Sequence, residues 1–274
     1  MSASPKKILF VNSEIFPYLE ENPISHIGRY LPQGIQERHN EIRSFMPRYG
    51  CIGERKNQLH EVIRLSGMNI VVGDVDRPLV IKVASISSAR MQVYFIENDD
   101  FFKRRQLYAD ETGKFFADNA ERTVFFARGV LETAKKLRWA PDIIHCHGWI
   151  THLVPAYLKK AYKDDPIFAQ SKVVLSLYDD VSPEEKFSPD FAALAAFGNV
   201  SPEDLPLLKE KPDALHLAKT AASYSDAVIL GSENIPEELV SFCRGKNLPL
   251  LGHNALRMKD GGYIDDYNAF YDSI

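Results

Sequence analysis

Short runs of apolar residues with no polar alternation constrain this chain most. Ile8-Leu-Phe-Val11 is such a run, bounded by Lys7 and Asn12. A strand of that kind is buried on both faces, as in a parallel sheet covered by helices. Ile42 to Met46, Pro141 to His145, Val173 to Leu177, Ala227 to Leu230 and Leu248 to Leu251 are further strand candidates. Between the first two the period becomes helical, with Ile24, Ile27, Tyr30, Leu31 and Ile35 at spacings of three and four. Asn22 suits the N-cap of that helix and Pro23 its first turn, whereas Pro32 inside it predicts a kink or a split. Asp118 to Leu137, Trp149 to Tyr162, Leu215 to Tyr224 and Pro236 to Cys243 read as later helices. Residues 68 to 97 interrupt the alternation with three β-rich runs separated by turn residues, an antiparallel excursion whose last run rejoins the main sheet. The fold class that follows is α/β, a doubly wound and mostly parallel sheet flanked by helices, with ligands beyond the carboxyl ends of its strands.

Composition narrows the function classes. The chain has 274 residues, no Ser/Gly-rich linker and no internal repeat, which favours one domain. Lys+Arg 33 against Asp+Glu 37 leaves a net charge of −4, so neither nucleic acid nor an anionic membrane is an expected partner. No apolar run approaches the roughly 20 residues of a membrane span. Three scattered cysteines, Cys51, Cys146 and Cys243, form no disulfide framework and point to a reducing, cytoplasmic setting.

Reactive side chains are densest in Ile143-Ile-His-Cys-His-Gly-Trp-Ile-Thr-His152. His145 and His147 sit two apart at a strand end and so face one side, either lining a cleft or capping the strand. Asp142 and His152 are near them, but no partner cluster completes the ligand set of a metal site, and no metal is expected. Trp149 reads as a buried anchor for the following helix in preference to a sugar-stacking platform. Ser13-Glu14 follows the first strand, where such sheets present ligand contacts. Asp118-Asn119 opens a helix and suits a cap, and Arg122 is expected to pair with an acid at a cleft edge. Arg104-Arg105, Glu184-Glu-Lys186 and Lys209-Glu-Lys211 read as solvated surface. No nucleophile elbow, Walker A loop or dinucleotide fingerprint occurs.

Several ordered motifs carry a resemblance. Lys7-Ile-Leu-Phe-Val-Asn-Ser-Glu-Ile-Phe-Pro17, Leu31-Pro32, Met46-Pro-Arg-Tyr-Gly50, Asp118-Asn-x-x-Arg122, Pro141-Asp-Ile-Ile-His-x-His-x-Trp149, Val154-Pro-Ala-Tyr-Leu158, Lys219 and Tyr224-Ser-Asp226 follow one another as in the N-terminal domain of bacterial glycogen synthases and starch synthases. The resemblance implies a Rossmann-like half of a two-domain glycosyltransferase that moves glucose from ADP-glucose to an α-1,4-glucan with retention, without metal or resident cofactor. It also implies that Ser13, Glu14, Asn119, His145, His147 and Trp149 are the ligand-binding candidates.

Departures from that family pattern matter as much. Where the family has K-T-G-G-L after the first strand, this chain has Glu20-Glu-Asn-Pro-Ile24, and the family's nearby aspartate aligns with His26. Carboxylate replaces cation, and Pro23 has no N–H to offer a phosphate. Where the family reads H-x-H-D-W-H, this chain reads His145-Cys-His-Gly-Trp-Ile150, so an aspartate has become Gly148 and a glucose-contacting histidine Ile150. The family's V-H-N aligns with Leu177-Tyr178-Asp179. Residues 1–258 therefore read as the synthase-like N-terminal domain, and 259–274 as a tail. That tail is expected to fold back as a short helix through Ile264, Tyr267, Phe270 or Tyr271, and Ile274. Met1 and the short tail suit a natural chain without a donor-binding half. The expected function is a catalytically degenerate domain that binds α-glucan or maltooligosaccharide, or that regulates glycogen metabolism. The alternatives are a transferase completed by a separate donor-domain chain, and a scaffold adapted to another ligand. A protein partner or a second copy is expected at the carboxyl edge of the sheet.

Overall fold

The computed structural model describes residues 5–274. The first unit is β1 (Lys7–Asn12), α1 (Pro23–Glu37) and β2 (Glu41–Pro47), followed by the short α2 (Glu54–Asn57). The excursion comprises β3 (His60–Glu61), β4 (Met68–Val72) and β5 (Val75–Ile86), and returns through β6 (Met91–Glu97). Next come α3 (Asp99–Phe102), α4 (Asn119–Leu137), β7 (Ile143–His147), α5 (Val154–Lys160) and β8 (Lys172–Leu177). The last part holds α6 (Phe191–Leu194), α7 (Pro206–Glu210), α8 (Ala214–Ser223), β9 (Ala227–Leu230), α9 (Glu237–Gly245), β10 (Leu250–Leu251), α10 (Ala255–Asp260) and α11 (Tyr263–Ser273).

The strand order is β10-β9-β8-β7-β1-β2-β6-β5-β3, with β4 pairing β5 off this path. Every pairing from β10 to β6 is parallel, and β5 is antiparallel to β3, β4 and β6. The expected mixed α/β sheet is present, including the return of the excursion alongside β2. Ile8 to Val11 are wholly buried because β1 lies in mid-sheet with helices on both faces. β1 is flanked by β7 on one side and β2 on the other, so the direction of winding reverses there. The crevice beyond the carboxyl ends of β1 and β7 is the natural ligand position of such a sheet.

Five expectations need correction. Pro32 does not split α1, which runs unbroken from Pro23 to Glu37. Its buried face, with Ile24, Ile27, Leu31 and Ile35, packs on the sheet and outweighs the roughly 3 kcal/mol that an internal proline costs. The helix expected from Trp149 is a 3₁₀ turn, Trp149–Thr151, and α5 starts only at Val154, where Pro155 occupies the first turn. Asp118 makes no side-chain cap; its two oxygens take Arg104 Nη1 and Nη2 at 2.7 and 2.6 Å, so Arg104 is not free surface either. Arg122 pairs with no acid. It is fully buried and donates to the carbonyls of Phe101 (2.8 Å) and Leu107 (2.7 Å) and to Asn119 Oδ1 (2.6 Å), pinning the 99–118 segment to α4.

Residues 259–274 hold the end of α10 and the whole of α11. Tyr263, Tyr267 and Tyr271, spaced by four, form the buried stripe of α11. Ile264 packs over Gly34 of α1, where a Cβ would sit 2.7 Å from it.

Candidate functional site

At the switch point the chain leaves β1 through Ser13 and Glu14 and leaves β7 through Gly148 and Trp149. Ser13 N–H donates to His147 O at 2.9 Å, locking the two strand ends together. Gly148 has φ +87° and ψ 152°, backbone that only glycine adopts freely. A Cβ there would lie 2.2 Å from Ser13 Oγ and 3.2 Å from Asp180 Oδ2. Ser13 Oγ is buried without a hydrogen-bond partner.

Glu14 is buried. Asn22 Nδ2 donates to it at 2.6 Å and Tyr108 Oη at 3.4 Å, while desolvation pushes its carboxyl pKa above the usual range. Asn22 also closes the start of α1. Its Oδ1 accepts Ile24 N–H (3.0 Å) and Ser25 N–H (2.9 Å), and its carbonyl accepts His26 N–H (2.9 Å). Pro23 has no N–H, so each first-turn amide of α1 already has a partner in the chain. Exposed Glu20 and Glu21 stand before this end, and His26 Nδ1 lies 2.7 Å from Glu21 Oε1.

His145 and His147 face the same side of the sheet, ring centroids 3.8 Å apart. Each hydroxyl partner holds one ring nitrogen: Tyr271 Oη and Ser176 Oγ bond His145 at 2.6 and 2.7 Å, and Tyr178 Oη bonds His147 Nδ1 at 2.8 Å. His147 Nε2 is buried without a partner. Burial keeps both rings neutral, pushing His147 down to about 3 and His145 well below the usual imidazole range, the neighbouring His147 adding to the effect on His145. These histidines are thus buried structural groups tied to β8 and to α11.

Trp149 is 1% exposed, with its ring 5.1 Å from Tyr108, 5.2 Å from Phe115 and 5.6 Å from Phe187. It presents no face to a ligand, and Ile150 beside it is also wholly buried. Asn119 is buried too, donating to Tyr108 O at 2.8 Å and accepting from Arg122. Tyr178 is buried and its ring fills the space over Gly231; Asp179 is exposed. The structure therefore gathers Ser13, Glu14, Gly148 and Trp149 at the crevice. It sets His145 and His147 beneath them and places Asn119 in a separate internal network.

Two clefts open at this edge. One, of about 660 Å³, is lined by Glu14, Glu20, Asn22, Cys51, Lys56 and Arg105, among others. The other, of about 320 Å³, lies beyond β8 and is lined by His152, Tyr178, Asp179, Asp180 and Asn234 together with apolar side chains. Asp180 accepts Trp149 N–H at 2.8 Å, and desolvation pushes its carboxyl up to about 7. Lys56, Asp180 and Asn234 carry no sequence signal, because each lies in a loop or very short helix without periodicity, and Arg105, expected as solvated surface, is exposed but lines the larger cleft. Among the described residues, no group of three or more His, Cys, Asp or Glu is arranged to hold a metal ion, and no helix is long and apolar enough to cross a membrane.

The family model of the starch synthase catalytic domain matches residues 7–251. This chain belongs to that family. Glycogen synthase of Chlorobium limicola is 33% identical over 236 residues, which is 85% of this chain and 47% of that protein. Glycogen synthase of Chlorobaculum tepidum is 33% identical over 278 residues, covering 98% of this chain and 55% of that protein. This synthase-family chain thus spans about half the length of the curated relatives it matches. The catalytic domain of starch synthase IV from Arabidopsis thaliana, bound to ADP and acarbose, superimposes with a TM-score of 0.72 at 17% identity, over 91% of this chain and 51% of that one. That likeness establishes the fold, a half of the two-domain glycosyltransferase architecture.

Proposed function

We propose that this synthase-family domain binds α-glucan at the carboxyl edge of its sheet and does not by itself engage a sugar nucleotide. The closed start of α1 carries this reading. A helix N-terminus attracts phosphate through free N–H groups and its dipole, yet Asn22 takes the amides of Ile24 and Ser25 and Pro23 has none to give. Glu20 and Glu21 add repulsion where the family's loop carries lysine. At 4 Å, one like-charge contact at an effective dielectric of 20 costs about 4 kcal/mol.

The 660 Å³ cleft supports a neutral ligand. Its two carboxylates, Glu14 and Glu20, are matched by two cations, Lys56 and Arg105, and Asn22 adds an amide. Such a mixture supplies donors and acceptors for sugar hydroxyls without net attraction for a diphosphate. A thermal-shift screen with ADP-glucose, UDP-glucose and maltooligosaccharides tests the reading. Stabilisation by oligosaccharide alone supports it, and stabilisation by ADP-glucose, with or without an oligosaccharide effect, refutes it.

A transferase completed by a separate donor-domain chain remains the second reading. It calls for an apolar rim around the crevice. The large exposed apolar side chains among the described residues are Ile63, Val71 and Val75 on the antiparallel excursion and Leu256 on α10, and none of them lines either cleft.

A further inference from the structure

The 320 Å³ cleft between β8, α8 and α9 has a chemistry unlike that of its larger neighbour. Leu177, Val181, Ala218, Pro236 and Leu239 give it apolar walls. Its charged groups are the acceptors Asp179 and Asp180, Asn234 Nδ2 donates to Asp179 Oδ2 at 3.5 Å, and no lysine or arginine lines it. The two segments at its mouth, residues 179–186 and 233–238, carry Asp179, Asp180, Glu184, Glu185, Glu233, Glu237 and Glu238 against a single Lys186. Glu237 and Glu238 are answered by Arg244 and Lys219, whereas the charges nearest Asp180 are themselves negative, those of Glu14 and Asp179.

His152 supplies an independent observation. It is 4% exposed, lines the cleft, and neither of its ring nitrogens has a hydrogen-bond partner. Burial keeps the ring neutral, so one nitrogen is an acceptor lone pair with nothing to receive and the other an N–H with no acceptor. Leaving such a group unmet is costly in a folded protein, and a bound donor removes that cost.

We propose that this cleft binds a small organic cation, an ammonium or guanidinium group carried on an apolar body. The acidic mouth attracts the charge, Asp179 accepts its N–H groups, Asp180 does so in its ionised form, His152 accepts another, and the apolar walls take the hydrocarbon. Phosphorylated ligands are repelled by the same carboxylates. A neutral ligand leaves those carboxylates without counter-charge. The site is separate from the glucan cleft, so either assignment can fail alone.

Calorimetric titration of the purified chain with n-pentylammonium, 1-pentanol and maltose tests the proposal. Saturable binding of the ammonium below about 10 mM is expected, with pentanol at least about tenfold weaker. Asp179 is exposed, so Asp179→Asn should fold normally and weaken the ammonium by about tenfold while leaving pentanol unchanged. Leu215→Trp, at the half-buried rim, should block both. Equal affinity for pentanol, displacement of the ammonium by maltose, indifference to Asp179→Asn, or absence of saturation below about 10 mM would each overturn it.

Discussion

Restoring the family's aspartate at residue 148 should unfold the crevice before it restores any activity. Two costs arise in Gly148→Asp. The first is backbone: φ +87° and ψ 152° is a region nearly reserved for glycine, and forcing another residue into it costs about 1–3 kcal/mol. The second is steric, because the new Cβ would lie 2.2 Å from Ser13 Oγ and 2.6 Å from Ser13 Cβ. Overpacking of that kind costs about 1–3 kcal/mol more. The sum, about 2–6 kcal/mol, is a large share of a domain's usual 5–15 kcal/mol. Urea denaturation followed by circular dichroism measures it, with Gly148→Ala separating sterics and backbone from the added charge. The double variant Ser13→Gly/Gly148→Ala removes the clash but not the strained dihedral, and should recover the steric part alone. If Gly148→Ala lies within about 0.5 kcal/mol of the parent, or if Ser13→Gly fails to rescue it, the packing argument is refuted.

Further predictions follow from the same structure. Arg122→Met should destabilise by about 3–5 kcal/mol by orphaning the carbonyls of Phe101 and Leu107, while the dissociation constant for maltooligosaccharide, read by calorimetry, stays within twofold or so of the parent. Tyr271→Phe should cost about 1–3 kcal/mol, since His145 Nδ1 loses its partner across the tail, and a shift of the urea midpoint reports it. His147 and His152 titrate near 3 when folded against about 6.5 unfolded, so the unfolded chain binds more protons in that window and stability should fall as pH drops from about 6.5 to 3. Asp180 acts in the opposite direction. Its folded value of about 7 lies above the ordinary carboxylate range, so its contribution is lost as pH rises, and Asp180→Asn should gain on the parent in denaturation curves between about pH 4 and pH 7.

Much of this molecule is legible in its sequence because burial on two faces leaves a mark that burial in a loop does not. Ile8 to Val11 and Val173 to Leu177 announce central strands through apolar continuity, and the three runs of residues 68–97 announce the excursion through their turns. Asn22 reads correctly as a cap, and the structure adds that the same side chain bridges to Glu14. Pro32 misleads because helix propensity is weighed locally, whereas the buried face of α1 is decided by the sheet beneath it. Arg122 misleads because a buried guanidinium can be satisfied by carbonyls that only the folded 99–118 segment delivers. At the site, Ser13, Glu14 and Gly148 are found from strand ends and departures from the family pattern. Asp180 and His152 meet in one cleft, and Lys56 and Arg105 in the other, from loops or from the four-residue α2, and no helix or strand period pairs them. The tyrosine stripe of α11 was half visible. Tyr267 and Tyr271 fit the expected face, and the choice of Tyr263 over Ile264 for the deepest position depends on where α1 lies.

The most direct test is calorimetric titration of ADP-glucose into the purified chain, followed by structure determination at saturating ligand. The closed start of α1 predicts no saturable heat and no phosphate density near Ile24 and Ser25, while maltooligosaccharide binds. Stoichiometric binding of the nucleotide sugar, with its diphosphate displacing the Asn22 side chain from those two amides, would contradict the account.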